Sequence, residues 1–262
     1  MISPATFIVL ALDFIIGMAV PILLAVWLVK KYNCRMETIL IGAGVFFLFA
    51  LVLESLVHLV VLNNTGIQDN KIAFAIYGGL MAGLFEETGR FLAFKFLLKK
   101  DDNHTALAYG VGHGGMEVIM VFAMAMLSNL IIGIMANTGN VDLLLAKAPD
   151  DPAAKEQMDA IVATLSTTSP GTYLIGLWER CSAMILQISL SVLVFVAARK
   201  GGRLIWLFPS AILLHALVDG IVVLIADETS MVIVEVIVMA MSIALAGLAF
   251  TIHRRTKTRT DV

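Results

Sequence analysis

The chain has 262 residues, 60% hydrophobic and 15% charged, with a mean hydropathy of +0.93. A soluble domain is roughly half apolar and about a quarter charged, so the composition excludes an ordinary soluble globule and points to a polytopic membrane protein. The net charge of −2 is spread over short loops. With no basic stripe interleaved with aromatics, it excludes a nucleic-acid-binding surface.

A membrane-spanning helix needs about 20 mostly apolar residues. Seven stretches meet that need, at 5–29, 38–62, 73–98, 105–136, 172–198, 204–225 and 229–252. The first lacks a basic leader region and an A-x-A cleavage site and reads as a retained helix. The fourth is long enough to demand tilting, kinking or an end outside the bilayer. Together they predict an all-α, polytopic transmembrane helical bundle, a single domain over 1–262 with no internal repeat. Cys34 and Cys181 lie far apart, one in a basic loop and one in a helix, and no disulfide is expected.

Basic residues alternate from connection to connection. Lys30, Lys31 and Arg35 follow the first stretch, Lys99 and Lys100 the third, and Arg199, Lys200 and Arg203 the fifth. Arg254, Arg255, Lys257 and Arg259 follow the seventh, whereas NNTGIQDNK holds one lysine and ADETS none. The positive-inside rule then puts the N-terminus outside and the C-terminus in the cytoplasm. The segment 137–171 becomes an external loop. Within it Asp151 reads as an N-cap and Pro152 as a first helical position. Met158, Ile161, Val162 and Leu165 recur at helical spacing. They predict a short amphipathic helix at the outer interface, serving as a lid or as a connector.

Ionisable residues interrupt these apolar runs. Each costs about 2.5–3.5 kcal/mol at the centre of a span, so such residues usually face the protein interior and mark a site or a pathway. They are Asp13, Glu54 and His58, Glu86, Glu87 and Arg90, His113 and Glu117, Glu179 and Arg180, His215 and Asp219, and Glu235. Glu54–His58, Glu86–Arg90, His113–Glu117 and His215–Asp219 are all four apart, which puts each pair on one helix face. Counting about 1.5 Å per residue from the basic ends places Glu86, His113 and His215 in one layer, about 13–18 Å deep. Small-xxx-small pairs, Gly79/Gly83 and Gly110/Gly114, predict close helix packing around that layer. Pro209 predicts a kink six residues before His215.

A carboxylate short of water suits general-base work, taking a proton from water as it attacks a carbonyl. One histidine can orient that water, and a second can stabilise the oxyanion. Glu86, His113 and His215 are also the donor types of a hydrolytic zinc site, assembled across helices because no H-E-x-x-H is present. No G-x-S-x-G elbow and no aspartyl pair supports another protease chemistry. A Glu–Arg pair in a bundle can also merely neutralise itself. A proton- or cation-coupled transporter and a non-catalytic scaffold therefore stand as alternatives.

EETGR at 86–90, GHGGME at 112–117 and HALVD at 215–219 resemble the YhfC family of bacterial membrane proteins, regarded as a distant branch of the CAAX-protease-like (ABI or CPBP) intramembrane proteases. WERCSAMILQISLSVLV, 178–194, also resembles that family, and the likeness spans about residues 40–225. It implies a multi-pass protein of the bacterial plasma membrane and a glutamic-type or metal-dependent intramembrane protease acting on a membrane protein or peptide in the lipid bilayer. Glu86 falls on the base, Glu87 and Arg90 on bracing positions, His113 on the second motif, and His215 and Asp219 on the last. Glu117 is expected to orient His113 from one turn away. Arg90 stands one residue closer than the wider superfamily's E-E-x-x-x-R, Tyr109 replaces a phenylalanine, and Gln187 stands where relatives carry histidine.

Overall fold

The computed structural model describes residues 1–99, 104–145 and 152–256, and every ordered element among them is helical. Helix α1 is Pro4–Tyr32 and α2 is Met36–Asn64. Helix α3 is Lys71–Leu92, prolonged by a wider π-helical turn at Ala93–Leu97. Helix α4 is Thr105–Asn137, α5 Pro152–Thr167 and α6 Pro170–Lys200. Helix α7, Leu207–Ile225, follows a 3₁₀ turn at Gly202–Trp206, and α8 is Met231–Thr256.

Six helices among the described residues are long and apolar enough to cross a membrane: α1, α2, α4, α6, α8 and the segment Gly202–Ile225. The chain is a multi-pass membrane protein. The third expected span, Lys71–Leu92, has the length but carries Glu86, Glu87 and Arg90, and so falls outside the purely apolar group.

The long helices are not uniform. Phe47–Glu54 inside α2 and Val118–Ala123 inside α4 are π-helical. Helix α4 thus runs over its 33 residues with one such stretch inside it. Such insertions concentrate at functional sites because they turn a helix face. Here one ends on Glu54, one begins just after Glu117, and the one ending α3 starts three residues past Arg90. Pro209 is a correction to the expected kink. It lies in the first turn of α7, where the N–H that proline lacks has no intrahelical partner to lose.

The chain forms two compact units. One comprises Met1–Val20 and Val118–Trp178. Its core gathers Ile2, Leu10, Ile132 and Leu165, with Met158, Ile161 and Val162 packed against them. The predicted apolar face of α5 is thus buried against protein. Asp151, the expected cap, lies outside the described residues.

The second unit comprises Pro21–Glu117 and Glu179–Val262. Its α6 portion is buried along most of Ser182–Ala197. Glycines set its closest helix pairs. A Cβ on Gly79 would lie 2.3 Å from Ala216 O, and one on Gly83 2.5 Å from Ile212 O, so α3 and α7 meet backbone to backbone. Helices α2 and α4 meet in the same way, with Cβ positions on Gly42 and Gly112 falling 2.3 Å from Tyr109 O and 1.9 Å from Ile39 O. Replacing Gly112 with alanine is therefore expected to force the two backbones apart and to cost roughly 1–3 kcal/mol, as overpacking does. A drop in thermal midpoint in detergent micelles checks this, with Gly44→Ala, where a Cβ meets nothing within 4 Å, as the control.

Candidate functional site

The α3–α7 and α2–α4 contacts bring four polar stripes together inside the second unit. Glu86 and Glu87 come from α3, His113 and Glu117 from α4, Gln187 from α6, and His215 and Asp219 from α7. Glu86, Glu87, Arg90, His113, Gln187 and His215 are all buried.

Glu86 Oε2 is held from two sides. His113 Nε2 lies 2.9 Å from it, and Gln187 Nε2 donates to it at 3.0 Å. Arg90 Nη2 stands 3.7 Å away. Among the described residues no hydrogen bond is made to Glu86 Oε1, and the side chain keeps 8% of its surface open. The second carboxylate of the pair points elsewhere. Glu87 Oε1 lies 2.8 Å from His215 Nδ1, and Oε2 lies 3.4 Å from Arg90 Nη1. His215 Nε2 in turn faces Asp219 Oδ2 at 3.5 Å. Two adjacent glutamates thus do different work: one grips a histidine of α4, the other a histidine of α7. Asp219, with 40% of its side chain exposed, is the open end of the second chain.

Arg90 is fully buried and explains how both carboxylates are tolerated. Besides its two ion pairs it donates to Gln187 O at 3.2 Å and to Gln187 Oε1. A buried carboxylate pair without such a cation would be strongly disfavoured.

Glu117 is a second correction. Its carboxylate accepts from Arg180 Nη1 at 3.1 Å and from Gln187 Nε2 at 2.7 Å, while among the described residues His113 Nδ1 has no hydrogen-bond partner. Gln187 and Arg180 offer donors that capture Glu117, so it does not orient His113. The imidazole is fixed by Glu86 at Nε2 and by packing, with the Phe46 ring edge-on at 5.2 Å and the Tyr109 ring at 5.8 Å.

The sequence reading missed the weight of Gln187 and Arg180. Gln187 is the hub: it accepts from Arg90 and donates to both Glu86 and Glu117. Arg180 also grips Glu179, which ties that pair to the cluster. Their signal was spacing along α6, where Arg180, Gln187 and Ser191 repeat at seven and four residues on one face.

A family model described as YhfC intramembrane metalloprotease matches residues 16–238. The chain belongs to the YhfC family. It is also 36% identical over 224 residues to a Bacillus subtilis (strain 168) protein described as an uncharacterized membrane protein YhfC, covering 83% of this chain and 84% of that one. No solved structure matches.

The YhfC family description names a metal. Glu86, His113 and His215 are suitable donor types, but their arrangement does not fit one. His113 Nε2 is turned to Glu86 and His215 Nδ1 to Glu87, in separate pairs. Among the described residues no three His, Cys, Asp or Glu side chains are grouped so that they could hold a metal ion.

Proposed function

We propose that this member of the YhfC family is an endopeptidase that hydrolyses a peptide bond of a membrane protein or peptide within or beside the lipid bilayer, with Glu86 as the general base. The observation that carries this reading is the asymmetric grip on Glu86. His113 and Gln187 hold one oxygen at 2.9 and 3.0 Å, and among the described residues no hydrogen bond is made to the other. A base needs one fixed edge for aim and one free edge for the proton it takes. The family's description as an intramembrane metalloprotease supports the coarser part of this reading, a membrane protease.

Glu86 Oε1 takes a proton from water as the oxygen adds to the carbonyl carbon. His113 keeps the carboxylate in register. His215, oriented by Glu87 and facing Asp219, stabilises the oxyanion that forms. Glu86 then returns the proton to the nitrogen as the C–N bond breaks. No step runs through a metal, because His113 Nε2 and His215 Nδ1 are turned to separate carboxylates and do not converge on one point. Dialysis of the purified protein against a chelator is expected to leave cleavage intact. Zinc retained at one equivalent, with activity lost on its removal, would reverse that expectation.

The test of the function compares new N-termini of membrane proteins, by mass spectrometry, in cells expressing wild type or Glu86→Gln at equal levels. Termini that appear only with wild type support proteolysis and name substrates. Identical termini, with both proteins folded, would favour the transporter or scaffold alternatives.

A further inference from the structure

One polar chain in the second unit has no part in the steps above. Glu54, buried at the end of the π-helical stretch of α2, faces His58 one turn on, with Oε1 3.1 Å from His58 Nε2. The other ring nitrogen of His58, Nδ1, lies 2.8 Å from Tyr77 Oη on α3. His58 keeps 31% of its side chain exposed, whereas the Glu54 side chain keeps 10%. The π-helical stretch that ends on Glu54 packs against α3, the helix that carries both Glu86 and Tyr77: a Cβ on Gly89 would lie 2.6 Å from the Phe49 ring.

We propose that Glu54, His58 and Tyr77 form a proton path joining the buried carboxylate cluster to the Asn64 end of α2, the end that the basic-residue pattern puts outside. An imidazole engaged at both nitrogens can accept a proton at one and release it at the other. Nε2 takes the proton from Glu54, Nδ1 passes its own to Tyr77 Oη, and the phenol passes the proton it held to solvent water. The order reverses on return. A pair that merely neutralised Glu54 would need only one ring nitrogen. The second bond, to a hydroxyl that both donates and accepts, is what extends the pair into a chain.

Hydrolysis gives this path a task, and to that extent it rests on the function proposed above. Breaking the C–N bond adds OH to the carbonyl carbon and H to the nitrogen. The new carboxyl then releases a proton beside Glu86, Glu87, Glu117 and Asp219, and the new amine binds one after it departs. A route out of the cluster carries that proton away, so that it does not protonate Glu86 before the next turnover.

The test needs no substrate, so it can fail separately from the protease reading. The full chain in phosphatidylcholine–phosphatidylglycerol vesicles is mixed rapidly into heavy water at an acidity where buried carboxyls hold protons. Deuteration of the carboxyl infrared band is followed in time. His58→Gln keeps a polar group of similar reach but cannot shuttle, and it is expected to slow the exchange by about 10²-fold, the lower range for a positioned acid–base group. His58→Ala is expected to be equally slow and to recover with added imidazole. A purely structural histidine would give neither the slow glutamine variant nor the rescue. Exchange at the wild-type rate in a folded His58→Gln protein would overturn the proposal and assign proton entry to Asp219. Should His58→Ala fail to fold, the glutamine variant alone decides.

Discussion

Glu86→Gln is expected to lower kcat by about 10²–10⁴-fold, the range that a positioned general base contributes, with little change in KM. The amide keeps the length of the side chain and one oxygen able to accept from His113 and Gln187, so the packing around α3, α4 and α6 is retained. What it loses is the lone pair that takes the proton from water, an interaction made only as the transition state forms. Folding is expected to change little, since Arg90 keeps Glu87 at 3.4 Å and both bonds to Gln187. Glu87→Gln is the discriminating companion. It removes charge from the adjacent residue but leaves the grip on Glu86 intact, so it should cost less in rate than Glu86→Gln. The assay uses purified protein in vesicles with a substrate named by the N-terminal comparison. Equal losses at the two positions, or a larger loss at Glu87, would move the base to the wrong carboxylate for this mechanism.

The helices were legible because hydropathy at membrane depth is nearly a direct record of span. The stretch at 105–136 is observed as Thr105–Asn137 and the one at 172–198 as Pro170–Lys200. The gathering of the polar stripes was legible for a related reason. A lipid-facing charge is costly, so charges spaced by four on several helices must share an interior. The partners within that interior were not legible. Glu117 and His113 are four apart on one face, yet Glu117 is taken by Arg180 and Gln187 from α6. Spacing reports which side of a helix a residue lies on, and not which neighbouring helix supplies the strongest donor. Gln187 stood out only as a departure from relatives. It proved to be the residue on which Arg90, Glu86 and Glu117 converge. The π-helical turns beside Glu54 and Glu117 leave no mark in hydropathy, since they change the helix register and not its composition.

Arg90→Met is expected to destabilise the protein by about 3–5 kcal/mol, the cost of removing one partner from a buried ion pair. The reason lies in what it leaves behind. Glu87 is 0% exposed, and among the described residues its Oε2 has no hydrogen-bond partner, so the Arg90 guanidinium at 3.4 Å is the cation that offsets it. Gln187 would lose the Arg90 donor to its amide oxygen and one of the donors to its carbonyl, Ser191 Oγ remaining at 2.7 Å, which loosens the hold on Glu86 from the opposite side. Methionine roughly preserves the volume, so the loss reports charge and hydrogen bonding more than a cavity. Thermal unfolding in micelles measures it, and a second substitution isolates the cause. Glu87→Gln removes the orphaned charge while its amide oxygen can still accept from His215. The double variant should therefore recover part of the loss, giving the non-additivity of about 0.5–3 kcal/mol expected of groups in one network. Additive losses would mean that Arg90 stabilises through Gln187 and not through Glu87. The adjacent carboxylates would then need another source of compensation inside the bundle.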